Sequence, residues 1–254
     1  MNIKTLKTDK LITNVYSTRP EMGAAAAAAA KEAIEAVIAK KGCANVIFAA
    51  APSQNEMIES LLSSGLDFSR INAYHMDEYV GLSRSDKQSF ATYLCEHLFD
   101  RAPFASVNLI SATDAESGIA SYSELLSKNP PDVVCMGIGE NGHIAFNDPP
   151  VADFNDKALI KRVELDEICR NQQVHDGCFP TLDDVPKYAL TLTVPTLVSA
   201  EYIICTVPAA TKAWAVERML TDEIGESCPA TALRLHENAK MFLDAASAEK
   251  IMNL

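Results

Sequence analysis

The chain holds 254 residues, 48% of them hydrophobic and 22% charged, with 34 acidic against 22 basic side chains and a formal net charge of −12. That length suits one large domain or two small ones, and the hydrophobic share is too high for a disordered chain. The acidic excess, without any cluster of Lys and Arg, excludes a surface built for nucleic acid or an anionic membrane, since both are held by clustered positive charge that releases counterions.

The first twenty residues are polar and lack the apolar core of a secretory signal. No run of about 18 apolar residues follows, so a cytoplasmic protein with no membrane span is expected. Residues 22–41, whose alanine run ends at Lys31 and Glu32, read as the first helix. NVIFAAA at 45–51 reads as a strand, 53–63 as a helix, INAYHM at 71–76 as a strand, and 89–99 and 115–127 as helices. DVVCMG at 132–137, then 188–194 and 202–207, read as further strands, and 211–220 as the last helix. Several strands are apolar on both faces, the habit of a parallel sheet covered by helices. The expected class is therefore α/β: a single Rossmann-like domain over residues 1–254, its mostly parallel sheet flanked by helices on both faces.

Residues 149–186 break the rhythm with four prolines and many polar side chains. A strand near 158–163 and a short helix at 166–174 fit within this stretch, and the rest reads as a lid or as a plain surface excursion. Seven cysteines are scattered without CxxC or other metal-ligand spacing. They read as reduced thiols and give no structural zinc site.

Three of the ten glycines, Gly137, Gly139 and Gly142, fall within six residues directly after a strand, in GIGENGHIAFNDPP. Glycine there lets backbone approach a ligand at the carboxyl edge of a sheet. The prolines that follow argue against the helix a dinucleotide fingerprint would open. Asn141, His143 and Asp148 in this loop suit acid–base work, a carboxylate fixing the histidine's tautomer; a turn-capping histidine is the plain alternative. Asp77 and Glu78 end the strand INAYHM at the same edge, where a carboxylate could abstract a carbon-bound proton or merely cap a helix. Ser53, Gln54 and Asn55 follow NVIFAAA at a helix start, offering donors to an anion or an ordinary N-cap. Lys212, at the start of the last helix, supplies positive charge or sits in solvent. No GxSxG elbow occurs, and Cys95, Glu96 and His97 are adjacent on one helix and cannot converge.

MDEYVGL with GIGENGHIAFNDPP resembles the glucosamine-6-phosphate deaminase family, related to the 6-phosphogluconolactonases, and the similarity extends through VPKYALTLTVPTL and ATKAWAV. The resemblance implies deamination and isomerisation of an amino sugar phosphate to a ketose phosphate, without metal or organic cofactor. It gives His143, with Asn141 and Asp148, to ring opening, and Asp77 to proton transfer at C2. It gives Lys212 and the loop of Ser53, Gln54 and Asn55, with Gly137 and Gly139 nearby, to substrate binding.

Departures fall on the anion side. The family's glycine-rich loop is here Pro52-Ser53-Gln54-Asn55-Glu56, adding a carboxylate. Where the family's lid carries an arginine, this chain offers His175 or Asp176, and Asp148 replaces the usual glutamate. Retained chemistry with altered anion recognition is expected. Galactosamine 6-phosphate as substrate, a non-catalytic sugar-phosphate-binding protein and a lactonase-like hydrolase remain alternatives. A homo-oligomer is left open.

Overall fold

The polar N-terminus forms a hairpin: β1 (Asn2–Thr8) and β2 (Leu11–Tyr16) pair antiparallel. Asp9, at φ 52°, makes the turn in the left-handed region that Asp tolerates. Helix α1 (Arg19–Lys41) begins earlier than its apolar pattern, because the Thr18 hydroxyl accepts from the Glu21 amide and Pro20 fits the first turn. Gly42, at φ 83°, closes the helix. The chain continues through β3 (Ala44–Phe48), α2 (Asn55–Leu62), β4 (Ile71–His75), β5 (Asp77–Tyr79), α3 (Phe90–His97) and β6 (Ser106–Asn108). Then come α4 (Ala115–Lys128), β7 (Val133–Met136), β8 (Ile160–Glu164), α5 (Glu167–His175) and β9 (Tyr188–Leu192). The final elements are α6 (Val194–Val198), β10 (Tyr202–Val207), α7 (Ala213–Thr221) and β11 (Ala239–Asp244). This computed structural model describes residues 1–175 and 177–254.

Eight strands form one sheet in the order β1-β2-β11-β10-β7-β3-β4-β6, parallel throughout except for the β1–β2 pair. The α/β reading with a mostly parallel sheet holds. Alternation explains why the central strands read as continuously apolar. Ile47, Val134 and Met136 join the core beneath α4, α6 and α7, whereas Val46, Phe48, Val133 and Cys135 join the core beneath α1 to α3. Alanine and glycine along α1 allow close packing: a side chain at Gly23 would put its Cβ 2.4 Å from that of Glu56 on α2.

Two of the expected strands, β8 and β9, lie outside the main sheet. Residues 188–192 are extended, but β9 is the middle strand of a separate antiparallel sheet, β5-β9-β8. It is buried on both sides because Leu190 and Leu192 face the main core while Ala189 faces a third cluster with Tyr79, Phe146, Val163 and Phe179. Double-sided burial does not depend on strand direction. Among the described residues no helix is long and apolar enough to cross a membrane.

Candidate functional site

The sheet order reverses between β3, which leads on to β4, and β7, which leads on to β10. In an open α/β sheet the crevice at such a reversal, beyond the carboxyl ends of the strands, is where ligands bind. An open cleft lies there. Each strand around the reversal delivers a group to it: Ser53 after β3, Asp77 after β4, Gly137, Gly139 and His143 after β7, and Lys212 after β10. Six residues singled out from the sequence thus share one cavity.

The loop after β7 is built around His143. Its Nδ1 lies 2.8 Å from Asn141 Oδ1 and 2.9 Å from Asp148 Oδ1. Both neighbours are acceptors, so Nδ1 carries the hydrogen and Nε2 is left without a protein partner among the described residues. Asn141 Nδ2 donates to Asp148 at 2.8 Å, and the Asn141 carbonyl also receives the His143 amide at 3.0 Å. Burial pushes the Asp148 carboxyl up, but the neighbouring imidazole and hydrogen bonds from His143, Asn141 and Cys169 outweigh it and hold the group below its ordinary range. Asn141 and Asp148 do not line the cleft; they act on it through His143.

Gly139 makes this geometry possible, since a Cβ there would fall 2.0 to 2.3 Å from three atoms of the imidazole ring. Backbone strain marks the same loop and its neighbour. Ala145 at φ 50° and Ala209 at φ 82° both line the cleft in the left-handed region, where a non-glycine residue costs free energy.

Asp77 and its neighbour Glu78 have divergent environments. Asp77 lines the cleft, and burial, then the Glu78 carboxylate, raises its pKa well above the usual value. Glu78 turns away and caps α3, accepting the Ser89 hydroxyl at 2.7 Å and the amides of Phe90 and Ala91 at 3.0 and 2.9 Å. The helix-capping alternative is therefore right for Glu78. His75, just before them, is fully buried, accepts the Ile110 amide through Nε2, and is held neutral by burial, its pKa near 3.

Of the three donors after β3, Ser53 alone lines the cleft, beside the backbone run Ala49 to Pro52. Gln54 is wholly buried and braces the loop: Nε2 donates to Ser53 Oγ at 3.0 Å, and the amide oxygen accepts the Thr206 hydroxyl at 2.6 Å. Asn55 accepts the Tyr93 hydroxyl. Neither Gln54 nor Asn55 lines the cavity. Glu56 does not oppose an anion unopposed, because Arg19 Nε stands 2.7 Å from its Oε1.

Arg19 is a cleft residue that the sequence did not single out, as are Gln172 and Gln173 on α5. Nothing local identifies Arg19, which lies thirty-four residues before Ser53 in sequence, and the α1–α2 packing brings them together. The two glutamines are polar yet buried on a short helix, a feature that only burial reveals. Helix α5 also ties into the loop after β7, since Gln172 Oε1 accepts the Glu140 amide at 2.9 Å. His175 ends this helix, exposed, and Asp176 lies outside the described residues. Among the described residues, donor atoms of His143, Asp148 and Cys169 lie within 4.8 Å of one another. Hydrogen bonding within this trio accounts for their closeness, and burial, then Asp148, keeps the Cys169 thiol protonated.

Comparison with known proteins gives a consistent picture. The family model of glucosamine-6-phosphate isomerases and 6-phosphogluconolactonases matches residues 17–242. The chain is 35% identical over 213 residues to a glucosamine-6-phosphate deaminase of Bacillus cereus (strain G9842), covering 83% of this chain and 79% of that protein. It is 32% identical over 214 residues to the deaminase of Streptococcus agalactiae serotype III (strain NEM316), covering 84% and 90%. A solved monomeric glucosamine-6-phosphate deaminase superposes with a TM-score of 0.84 at 28% identity, over 93% of this chain and 98% of that one. The 6-phosphogluconolactonase of Trypanosoma brucei shares the fold, with a TM-score of 0.79 at 20% identity over 98% and 100% of the two chains.

Proposed function

This chain belongs to the family of glucosamine-6-phosphate isomerases and 6-phosphogluconolactonases, and from that premise we propose that it converts glucosamine 6-phosphate to fructose 6-phosphate and ammonia. The observation that carries the reading is the meeting in one cleft of a buried carboxyl of raised proton affinity, Asp77, with the oriented imidazole of His143.

Each group has a step suited to its surroundings. His143 Nε2 exchanges protons with the sugar's ring oxygen and C1 hydroxyl to open the pyranose, while Asp148 and Asn141 fix the ring and stabilise its charged form. Asp77 then takes the proton from C2, giving an enolamine, and returns a proton to C1. Hydrolysis of the resulting C2 imine releases ammonia and leaves the ketose. A carboxyl with a raised pKa is closer in proton affinity to the carbon acid it must both deprotonate and reprotonate. The Ser53 hydroxyl and Lys212 bind the phosphate, with Gln54 as the brace behind Ser53. Glycine at 137 and 139 keeps the binding groups in place, since a Cβ would crowd Gln54, Thr206 and Ser53 at the first and the His143 ring at the second.

Residues 149–186 act as the lid, α5 bringing Gln172 and Gln173 over the sugar. The cytoplasm is the proposed place of action, supported by seven cysteines that are all free. The test is a panel of glucosamine 6-phosphate, galactosamine 6-phosphate and 6-phosphogluconolactone, with ammonia and ketose followed separately. Fastest ammonia release from glucosamine 6-phosphate is expected. Lactone hydrolysis without ammonia release from either amino sugar would overturn the assignment.

A further inference from the structure

The anion-binding end of the cleft poses an electrostatic problem that Ser53 and Lys212 do not solve. Glu56 stands in the first turn of α2, three residues after Ser53, and is partly exposed beside the loop that would receive a phosphate. A bare carboxylate there would repel a dianion. The protein carries −12 overall and has no field of its own to offset that repulsion.

Arg19 changes the local balance. It is the first residue of α1 and comes from the opposite side of the loop, where the close approach of α1 and α2 at Gly23 sets it beside Glu56. Its guanidinium is docked at two points. Nη2 donates to the Pro52 carbonyl at 2.5 Å, and Nε stands 2.7 Å from Glu56 Oε1, out of line for a hydrogen bond. Pro52 is the residue before Ser53, so Arg19 is anchored to the anion loop itself. A guanidinium has five N–H donors, and Nη1 with both of its hydrogens makes no hydrogen bond to the protein among the described residues. Arg19 lines the same cleft as Ser53 and Lys212, and its side chain is 34% exposed.

Resting on the proposed reaction, we infer that Arg19 is a specificity-determining residue that binds the substrate's phosphate through Nη1, with Glu56 and the Pro52 carbonyl holding its planar fork in place. The phosphate is thereby gripped between Arg19 on one wall and Lys212 on the other. A planar guanidinium pre-oriented by two contacts suits the bidentate recognition of phosphate oxygens better than a mobile ammonium.

The experiment compares the full-length parent with Arg19→Ala, Arg19→Lys and Arg19→Gln. The readouts are kcat and KM for glucosamine 6-phosphate, kcat/KM for unphosphorylated glucosamine, and thermal stabilisation by inorganic phosphate. Arg19→Ala is expected to raise KM at least tenfold and to weaken inorganic phosphate at least tenfold, with kcat/KM for unphosphorylated glucosamine within twofold of the parent. Arg19→Lys recovers part of both losses. Arg19→Gln can still donate to the Pro52 carbonyl and serves if the alanine variant fails to fold; it is expected to lose phosphate as the alanine variant does. KM and phosphate stabilisation within twofold of the parent in Arg19→Gln would overturn the inference. So would an equal loss for both sugars, which marks a merely structural brace. A parent that never releases ammonia refutes the reaction instead, and the phosphate measurement still decides the role of Arg19.

Discussion

Replacing Gly139 with alanine isolates the orientation of His143 from every other feature of the cleft. The added methyl would lie 2.0 to 2.3 Å from three ring atoms, more than an ångström inside ordinary van der Waals contact. Gly139 is not among the glycines with positive φ, so alanine fits the backbone and only the ring contact opposes it. The ring cannot yield freely: His143 is 7% exposed and its Nδ1 is held by Asn141 and Asp148. Moving it by about an ångström therefore loosens both contacts and misplaces Nε2. A misplacement of that size costs about 100-fold in kcat/KM, or about 2.7 kcal/mol of transition-state stabilisation. The fold should survive, since alanine's smaller unfolded-state entropy offsets about 0.4–1 kcal/mol of the strain. The assay is steady-state ammonia release from the ring-closed substrate, alongside a substrate analogue that cannot cyclise. The deficit should shrink for the open form, because only ring opening needs the displaced imidazole. A folded Gly139→Ala protein with parental kcat/KM on the closed sugar would refute the reasoning.

Asp77→Asn should abolish turnover, falling at least 100-fold, yet make the protein more resistant to heat at neutral pH. The sign follows from the raised pKa of Asp77: below the ordinary carboxylate range, near 3.9, both folded and unfolded states are protonated and the residue costs nothing. As pH rises, the unfolded carboxyl ionises first, so the parent loses stability until the folded group ionises too. Melting curves from pH 4 to 8 should show the variant's advantage growing over that window; an advantage independent of pH would contradict it. The same group sets the acid limb of kcat/KM in the parent, with activity falling as pH drops through its raised value. Glu78→Ala, by contrast, strips three donors at the start of α3 of a buried acceptor and should destabilise by about 1–3 kcal/mol in denaturant titration, whereas an unchanged midpoint would discount the cap.

Long apolar strands and the loop GIGENGHIAFNDPP are legible in sequence because burial on both faces and clustered glycine leave composition signals. The N-terminal hairpin is not, since β1 alternates between exposed and half-buried positions at a sheet edge and so lacks an apolar run. The three-residue strands β5 and β6 are too short to show a period. At the site, Asp77, His143 and Lys212 stand at strand ends that the sequence identifies, and the cleft unites them. Asn55 and Gln54 show the opposite outcome: donors at a helix start read as ligands, but packing turns them onto Tyr93 and Thr206. Arg19 reaches the cleft only through helix packing, which adjacency in sequence does not encode.

The most direct measurement counts ammonia and fructose 6-phosphate in the same sample of parent protein given glucosamine 6-phosphate, with Asp77→Asn alongside. One ammonia per ketose is predicted for the parent, and neither product from a variant that inorganic phosphate still stabilises against heat. Ketose formed without ammonia, or equal production of both by Asp77→Asn, would contradict the account.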